Sequence, residues 1–362
     1  MSAPVLHVRG QVLVGPDEVV DEMWVLGGKV SFTRPATLAD VETIDGWVLP
    51  GLVDAHCHIG LGPLGEVSRD EAERQALTDR DRGALLVRDA GQPGDTRWVD
   101  ERDDLPKVIR AGRHIARTRR YLRNYAHEVE EGELVGQVRL EAHRGDGWVK
   151  LVGDWIDRDV GDLAPSWSRQ AVADAVAAAH EEGVRVTAHC FGEESLRDLA
   201  AAGIDCIEHA TGLREDSIDT FAAHGIAIVP TLVNIAHFPE HAAPARERFP
   251  GYHRHMIDLY ERRYATIGAA HEAGVPIYVG TDAGGSLPHG LVAQEMVELT
   301  KAGLTVDEVL SAATWGARAW LGRPGLVEGA DADLVVYGAD PRDDLTVLAD
   351  PKGVVLRGRV VV

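Results

Sequence analysis

Cysteine is scarce in this chain: three residues in 362, Cys57, Cys190 and Cys206, with no C-x-x-C spacing. A disulfide framework and a thiolate zinc knot are both excluded. No run reaches 18 apolar residues, and no basic segment followed by an apolar one opens the chain. These absences predict a cytoplasmic protein with no membrane partner. Positive charge is short as well. Lys and Arg number 37 against 58 Asp and Glu, a net charge of -21, so a nucleic-acid partner is not expected. The arginines of ARTRRYLRN (116–124) form a local cluster, read as a solvated face. What remains is the composition of an ordinary globular protein, 45% hydrophobic and 26% charged.

The first fifty residues read as short strands, VLHVRGQVLV, EMWVLGGKVSF and ETIDGWVLP, with a hairpin at Gly27-Gly28. The last forty repeat that character in ADLVVYG and GVVLRGRVVV. Neither end suffices alone, which predicts one small composite β-sandwich from residues 1–50 and 326–362, with neighbouring termini. Residues 51–325 instead alternate strand and helix. Helices are expected over 70–81, 168–183, 194–203, 214–225 and 260–274, after Gly290, and within 301–322. Strands are expected at the His56 run, 85–90, 107–112, 148–153, 184–189, 206–209, 226–231 and 275–282. Eight such units predict an α/β protein with a (β/α)8 TIM barrel. Residues 113–147 and 232–259 are long connections, expected to border a binding site.

Six metal-competent residues fall at the ends of these strands. His56 and His58 share one face of their strand and put Cys57 on the other. Lys150 lies in WVKLVG, His189 and His209 end the next two strands, and Asp282 closes the last. In a barrel these ends converge at one mouth. An ammonium inside an apolar run is costly; a carbamate formed by carboxylation of the Lys150 amine would be anionic and able to bridge two metals. One metal would then be held by His56, His58, the carbamate and Asp282, the other by the carbamate, His189 and His209. A hydroxide between them would attack a carbonyl while Asp282 passes its proton to the leaving nitrogen. The mixed nitrogen and oxygen donors suit two divalent ions, zinc foremost. Glu208, next to His209, is read as pointing outward. Arg88, His114, Tyr121, Tyr125, His237 and His289 are the candidate substrate contacts.

Together these motifs resemble the amidohydrolase superfamily, in the metal-dependent branch similar to bacterial Xaa-Pro dipeptidases and imidazolonepropionase relatives. The resemblance rests on VLPGLVDAHCH (48–58), LLVRDAG (85–91), VKLVGDW (149–155), TAHCFGEESLRDLAAAGIDCIEHATGL (187–213), GTDAGGSLPHG (280–290) and GLVEGADADLVVYGADP (325–341). It implies the barrel and composite β domain, and the six residues above in the same roles, with Asp282 as catalytic base and Lys150 as bridging ligand. It also implies hydrolysis of an amide bond in a small substrate such as a dipeptide or N-acyl amino acid. The alternatives are lactone, carbamate or ester hydrolysis, or cyclic-amidine hydrolysis and deamination. The chain departs from those relatives after the third strand, where ARTRRYLRNYAHEVE replaces a glycine-rich segment, and after Lys150, where DWIDRD stands. Nothing in the sequence reads out an oligomeric state, though a homo-oligomer is compatible with it.

Overall fold

A computed structural model describes residues 5–36 and 41–362. The expected terminal unit begins at residue 1, so its residues 1–4 and 37–40 fall outside the described part. Strands from both ends of the chain hydrogen-bond into a single seven-stranded sheet. Val5–Leu13 pairs antiparallel with Val19–Leu26, which turns at Gly27-Gly28 into Lys29–Ser31. Its other edge runs parallel to Val41–Pro50, and that strand pairs antiparallel with Leu334–Tyr337. Gly353–Leu356 and Arg359–Val360 extend the sheet beyond. Alternation explains the two faces. Leu6, Val8, Val25, Val48, Leu334 and Val336 close over one another. Leu49, Val335 and Tyr337 face the main core instead.

The rest is mixed α/β, with parallel strands and amphipathic helices. Leu52–Cys57, Ala84–Asp89 and Lys107–Arg110 form one parallel sheet. Trp148–Val152, Arg185–Cys190, Cys206–His209 and Ala227–Val229 lie in another. Ile115 joins the second sheet at Leu151, five residues beyond the end of the third strand. Single bridges, Ile228 to Ile277 and Cys57 to Ala283, carry the pairing from the last of these strands back to the first. The contacts thus pass through eight segments and return to their start.

Three elements differ from expectation. Residues 275–282 make isolated bridges rather than a ladder; Pro276 has no N–H to give, and Asp282 turns to φ 59. Residues 113–147 are less open than their charge suggests, because Leu134–Arg144 is a helix that buries Leu134, Val138, Glu141 and Ala142. The helix expected from residue 260 begins at Pro250 and runs to Glu272, with proline in its first turn. Shorter helices, Leu232–Ile235 and Phe238–Ala242, fill the connection before it. No helix among the described residues is long and apolar enough to cross a membrane.

His255 fastens the long helix to the strand Asp162–Pro165 and to the start of the helix Glu193–Ala201. Its Nδ1 lies 2.9 Å from Asp162 and its Nε2 2.9 Å from Glu193. Chiefly the bond to Glu193 raises its pKa to about 9 from an ordinary 6.5. A folded-state pKa above the unfolded value contributes stability that is complete below pH 6.5 and lost as pH rises through 9. His255→Gln should therefore lower the unfolding free energy most at pH 6, with the difference from wild type shrinking by pH 9.5 in denaturant titrations.

Candidate metal centre and active site

His56 and His58 leave the end of their strand on one face, and both are buried. Three donor atoms converge there. His56 Nε2 is 3.1 Å from His58 Nε2, His58 Nε2 is 3.0 Å from Asp282 Oδ1, and His56 Nε2 is 3.1 Å from that same oxygen. Ligands of a tetrahedral zinc ion with bonds of about 2.0–2.1 Å stand about 3.3 Å apart, close to the edges of this triangle. A second pair lies alongside: His189 Nδ1 and His209 Nε2 face each other at 3.0 Å, and the His56 and His209 ring centroids are 5.2 Å apart. Burial pushes His189 well below the ordinary imidazole pKa and His209 down to about 3, so both present neutral lone pairs. Burial would raise the Asp282 carboxyl, but His56 and His58 hold it well below the usual carboxylate range. This donor set fits divalent metal.

Lys150 is 1% exposed and makes no ion pair among the described residues. Burial lowers its pKa, against the opposing pull of Glu208 and Asp282. The amine therefore sits in the cluster without the acidic partner that would explain it as half of an ordinary salt bridge.

Asp282, His58 and His209 are fixed from behind. Asp54 Oδ2 accepts from Thr281 Oγ1 at 2.6 Å and its Oδ1 from Thr281 N at 3.0 Å, which aligns the Asp282 turn with the His56 strand. A Cβ on Gly280 would lie 2.7 Å from His56 N, so that approach requires glycine. His58 Nδ1 lies 2.7 Å from Gly91 O, and His209 Nδ1 lies 2.7 Å from Thr231 Oγ1. Asn234 Nδ2 donates to Asp282 Oδ2 at 2.6 Å. Glu295 accepts from Leu232 N and Val233 N at 2.8 Å each, which holds the turn carrying Thr231 and Asn234. Thr231 and Asn234 escape sequence reading because they ligate nothing; their only signal is a polar pair three residues apart after a strand.

Glu208 corrects the sequence reading. It points inward, fully buried, and takes Arg88 Nη2 at 2.7 Å and the Thr187 hydroxyl. Its other oxygen lies 2.8 Å from His56 Nδ1, an electrostatic contact too bent for a hydrogen bond. Burial alone would raise its pKa, yet Arg88, then His56 and Lys150, hold it well below the carboxylate range. His209 has φ 68, so the backbone swings its ring into the cluster out of strand alternation. That turn puts two successive side chains on the inner side.

A cavity of about 390 Å³ opens over the donor atoms. Of the expected substrate contacts, His114, Tyr121 and Tyr125 line it. Arg88 does not: it is inaccessible, donating to Glu208 and to Ala55 O at 2.6 Å. His289 does not either; it sits in a bend on the far side of the Leu52–Cys57 strand, 2.7 Å from Asp79 and 3.7 Å from Cys57. His237 lies outside the cavity, partly exposed and paired with Glu240 at 3.0 Å, while His241, one helical turn on, is the histidine that lines it. Trp155, Phe191, Tyr252 and Met256 complete the walls.

Glu208→Gln should leave Arg88 with an uncompensated buried charge. The expected cost is about 3–5 kcal/mol in chemical unfolding, with metal affinity weakened about 10–100-fold in competitive chelation.

The arrangement agrees with what the chain resembles at full length. It is 54% identical to an uncharacterised protein of Mycobacterium tuberculosis over 355 residues, covering 98% of this chain and 95% of that one. An imidazolonepropionase of Chromobacterium violaceum is 25% identical over 372 residues, covering 86% of this chain and 83% of its own. The solved structure of a Xaa-Pro dipeptidase with bound methionine superposes with a TM-score of 0.80 at 23% identity, covering 98% of this chain and 99% of that one. The family model described as "Amidohydrolase family" matches residues 161–361. With histidines and an aspartate gathered at the strand ends and more than half the sequence matching that model, the chain is an enzyme that belongs to the amidohydrolase family.

Proposed function

We propose that this protein hydrolyses the amide carbon–nitrogen bond of a small substrate at a centre of two divalent metal ions, zinc being the best fit. The observation that carries the reading is the convergence of His56, His58 and Asp282 to a triangle with edges near 3 Å, beside the His189–His209 pair. In this reading the eight strand segments are a (β/α)8 barrel over residues 51–325. Residues 1–50 and 326–362 form the composite β domain, and the site lies at the strands' C-terminal mouth.

His56, His58 and Asp282 hold one ion, His189 and His209 the other. Lys150, carboxylated when its neutral amine adds carbon dioxide and loses one proton, would supply a further anionic ligand to them. When bound, such ions polarise a carbonyl and lower the pKa of water. Asp282 has the remaining task. Its Oδ1 sits among the donors while Asn234 fixes Oδ2, so the carboxylate is aimed to accept a proton from attacking water and return it to the leaving nitrogen. The walls exclude bulk water around that transfer. The donors would hold the ions and are indifferent to the groups flanking a carbonyl, so ester, lactone and carbamate scission, or ring opening, are the competing chemistries.

Alanine at Asp282 or Lys150 should lower kcat by about 10²–10⁴-fold while circular dichroism stays native; either variant retaining most of its turnover would sink the mechanism. Metal analysis of the purified enzyme should return about two ions per chain, and Lys150→Ala about one. A reproducible single ion in the wild type would favour the mononuclear, deaminase-like chemistry instead.

A further inference from the structure

The walls of the cavity have a chemistry that its metal ligands do not determine. Tyr121 is their hub, its ring centroid 4.9 Å from Trp155 and 5.4 Å from His189. Phe191 packs 4.2 Å from the His189 ring on the same side. Tyr252 and Met256, from the helix Pro250–Glu272, close the cavity from above. Leu122, which also lines the cavity, is 45% exposed, and its turn is joined to the one carrying Leu64 by Asn124 Nδ2 donating to Leu64 O at 3.1 Å.

Just as telling is where the positive charge has gone. The segment 113–125 carries five arginines, yet Tyr121, Leu122 and Tyr125 are what it turns to the cavity, together with His114. Arg113 donates to Tyr125 O at 2.9 Å, Arg117 to Ser166 O at 3.4 Å, and Arg120 to Ala164 O at 2.8 Å and to Asp157. No lysine or arginine is among the lining residues described; the side-chain amide, Asn234 Nδ2, donates to Asp282, and Ser286, the tyrosines and the histidines are the other polar side chains there. A substrate carboxylate beside the scissile bond would shed its water without meeting a lysine or arginine, among hydroxyls and aromatic faces. A neutral aromatic ring would instead find edge-to-face and offset partners.

We propose that the substrate is an uncharged amide bearing at least one aromatic ring, and that the cavity discriminates against a free carboxylate next to the scissile bond, as found in dipeptides and N-acyl amino acids. The choice of an amide rests on the proposed function; the choice of a neutral aromatic ligand rests on the walls alone.

N-(2-phenylethyl)benzamide and N-benzoylphenylalanine differ by one carboxylate and separate these two claims. Titrated into chelator-treated protein and read by calorimetry, the neutral compound should bind about tenfold tighter or better; equal binding, or tighter binding of the carboxylate, overturns the inference. Tyr252→Arg, which puts a cation on the wall, should erase or invert the preference, and a folded variant with the wild-type preference overturns it as well. The metal-loaded enzyme should then show the same order in kcat/KM. Retained binding preference without cleavage of either compound would count against the amide-hydrolase reading and leave the wall reading standing.

Discussion

Arg88 and Glu208 meet where neither has access to water, and opposite charges in such a place persist only while their other donors and acceptors are answered. Ala55 O and Thr187 answer two of them. The indole faces of Trp148 and Trp320, with centroids 4.7 and 5.1 Å from the guanidinium carbon, cover the plane of the cation, whose Nη1 has no hydrogen-bond partner. Four strands are bound together by this one knot. Glu208 then presents its remaining oxygen to His56, so the position of that imidazole is tied to the cohesion of the strands below it.

The same device recurs above that level. Asp54 clasps the Thr281 turn, Asp154 accepts from Phe191 N at 3.0 Å and Gly192 N at 2.5 Å beyond His189, and Glu295 caps the turn bearing Asn234. Burial raises Asp54 and Asp154 to about 6, since backbone donors only partly offset their desolvation. Carboxylates that would be expensive elsewhere are employed here to fix strand ends, and the histidines need only lean on positions already set.

Much of this was legible from residues alone. His56 and His58 announce themselves because i and i+2 share a strand face, and Lys150 because a lysine interrupts an apolar run. Glu208 reads as outward because it neighbours His209, but the positive φ at His209 breaks the alternation, and Cys206 and Glu208 share the inner face. Arg88 lay on the correct side but deeper than the mouth, a depth that periodicity does not encode. His237 and His241 are equivalent in a polar stretch until the helix Phe238–Ala242 decides which one turns inward. The helix Leu134–Arg144 was hidden by charge, although its buried positions follow helical spacing.

The terminal sheet gives the site a history as well as a support. Val41–Pro50 leads directly into the His56 strand, yet one of its edges pairs with Leu334–Tyr337, and Gly353–Leu356 lies beyond that. During synthesis the first two donors leave the ribosome almost three hundred residues before the strand that secures their base. Until then that edge of Val41–Pro50 has no partner, with its N–H and C=O groups open to any other strand. The support beneath the active-site strand is therefore completed only by a segment made long after it, and a chain released before residue 334 would leave that edge of Val41–Pro50 unguarded.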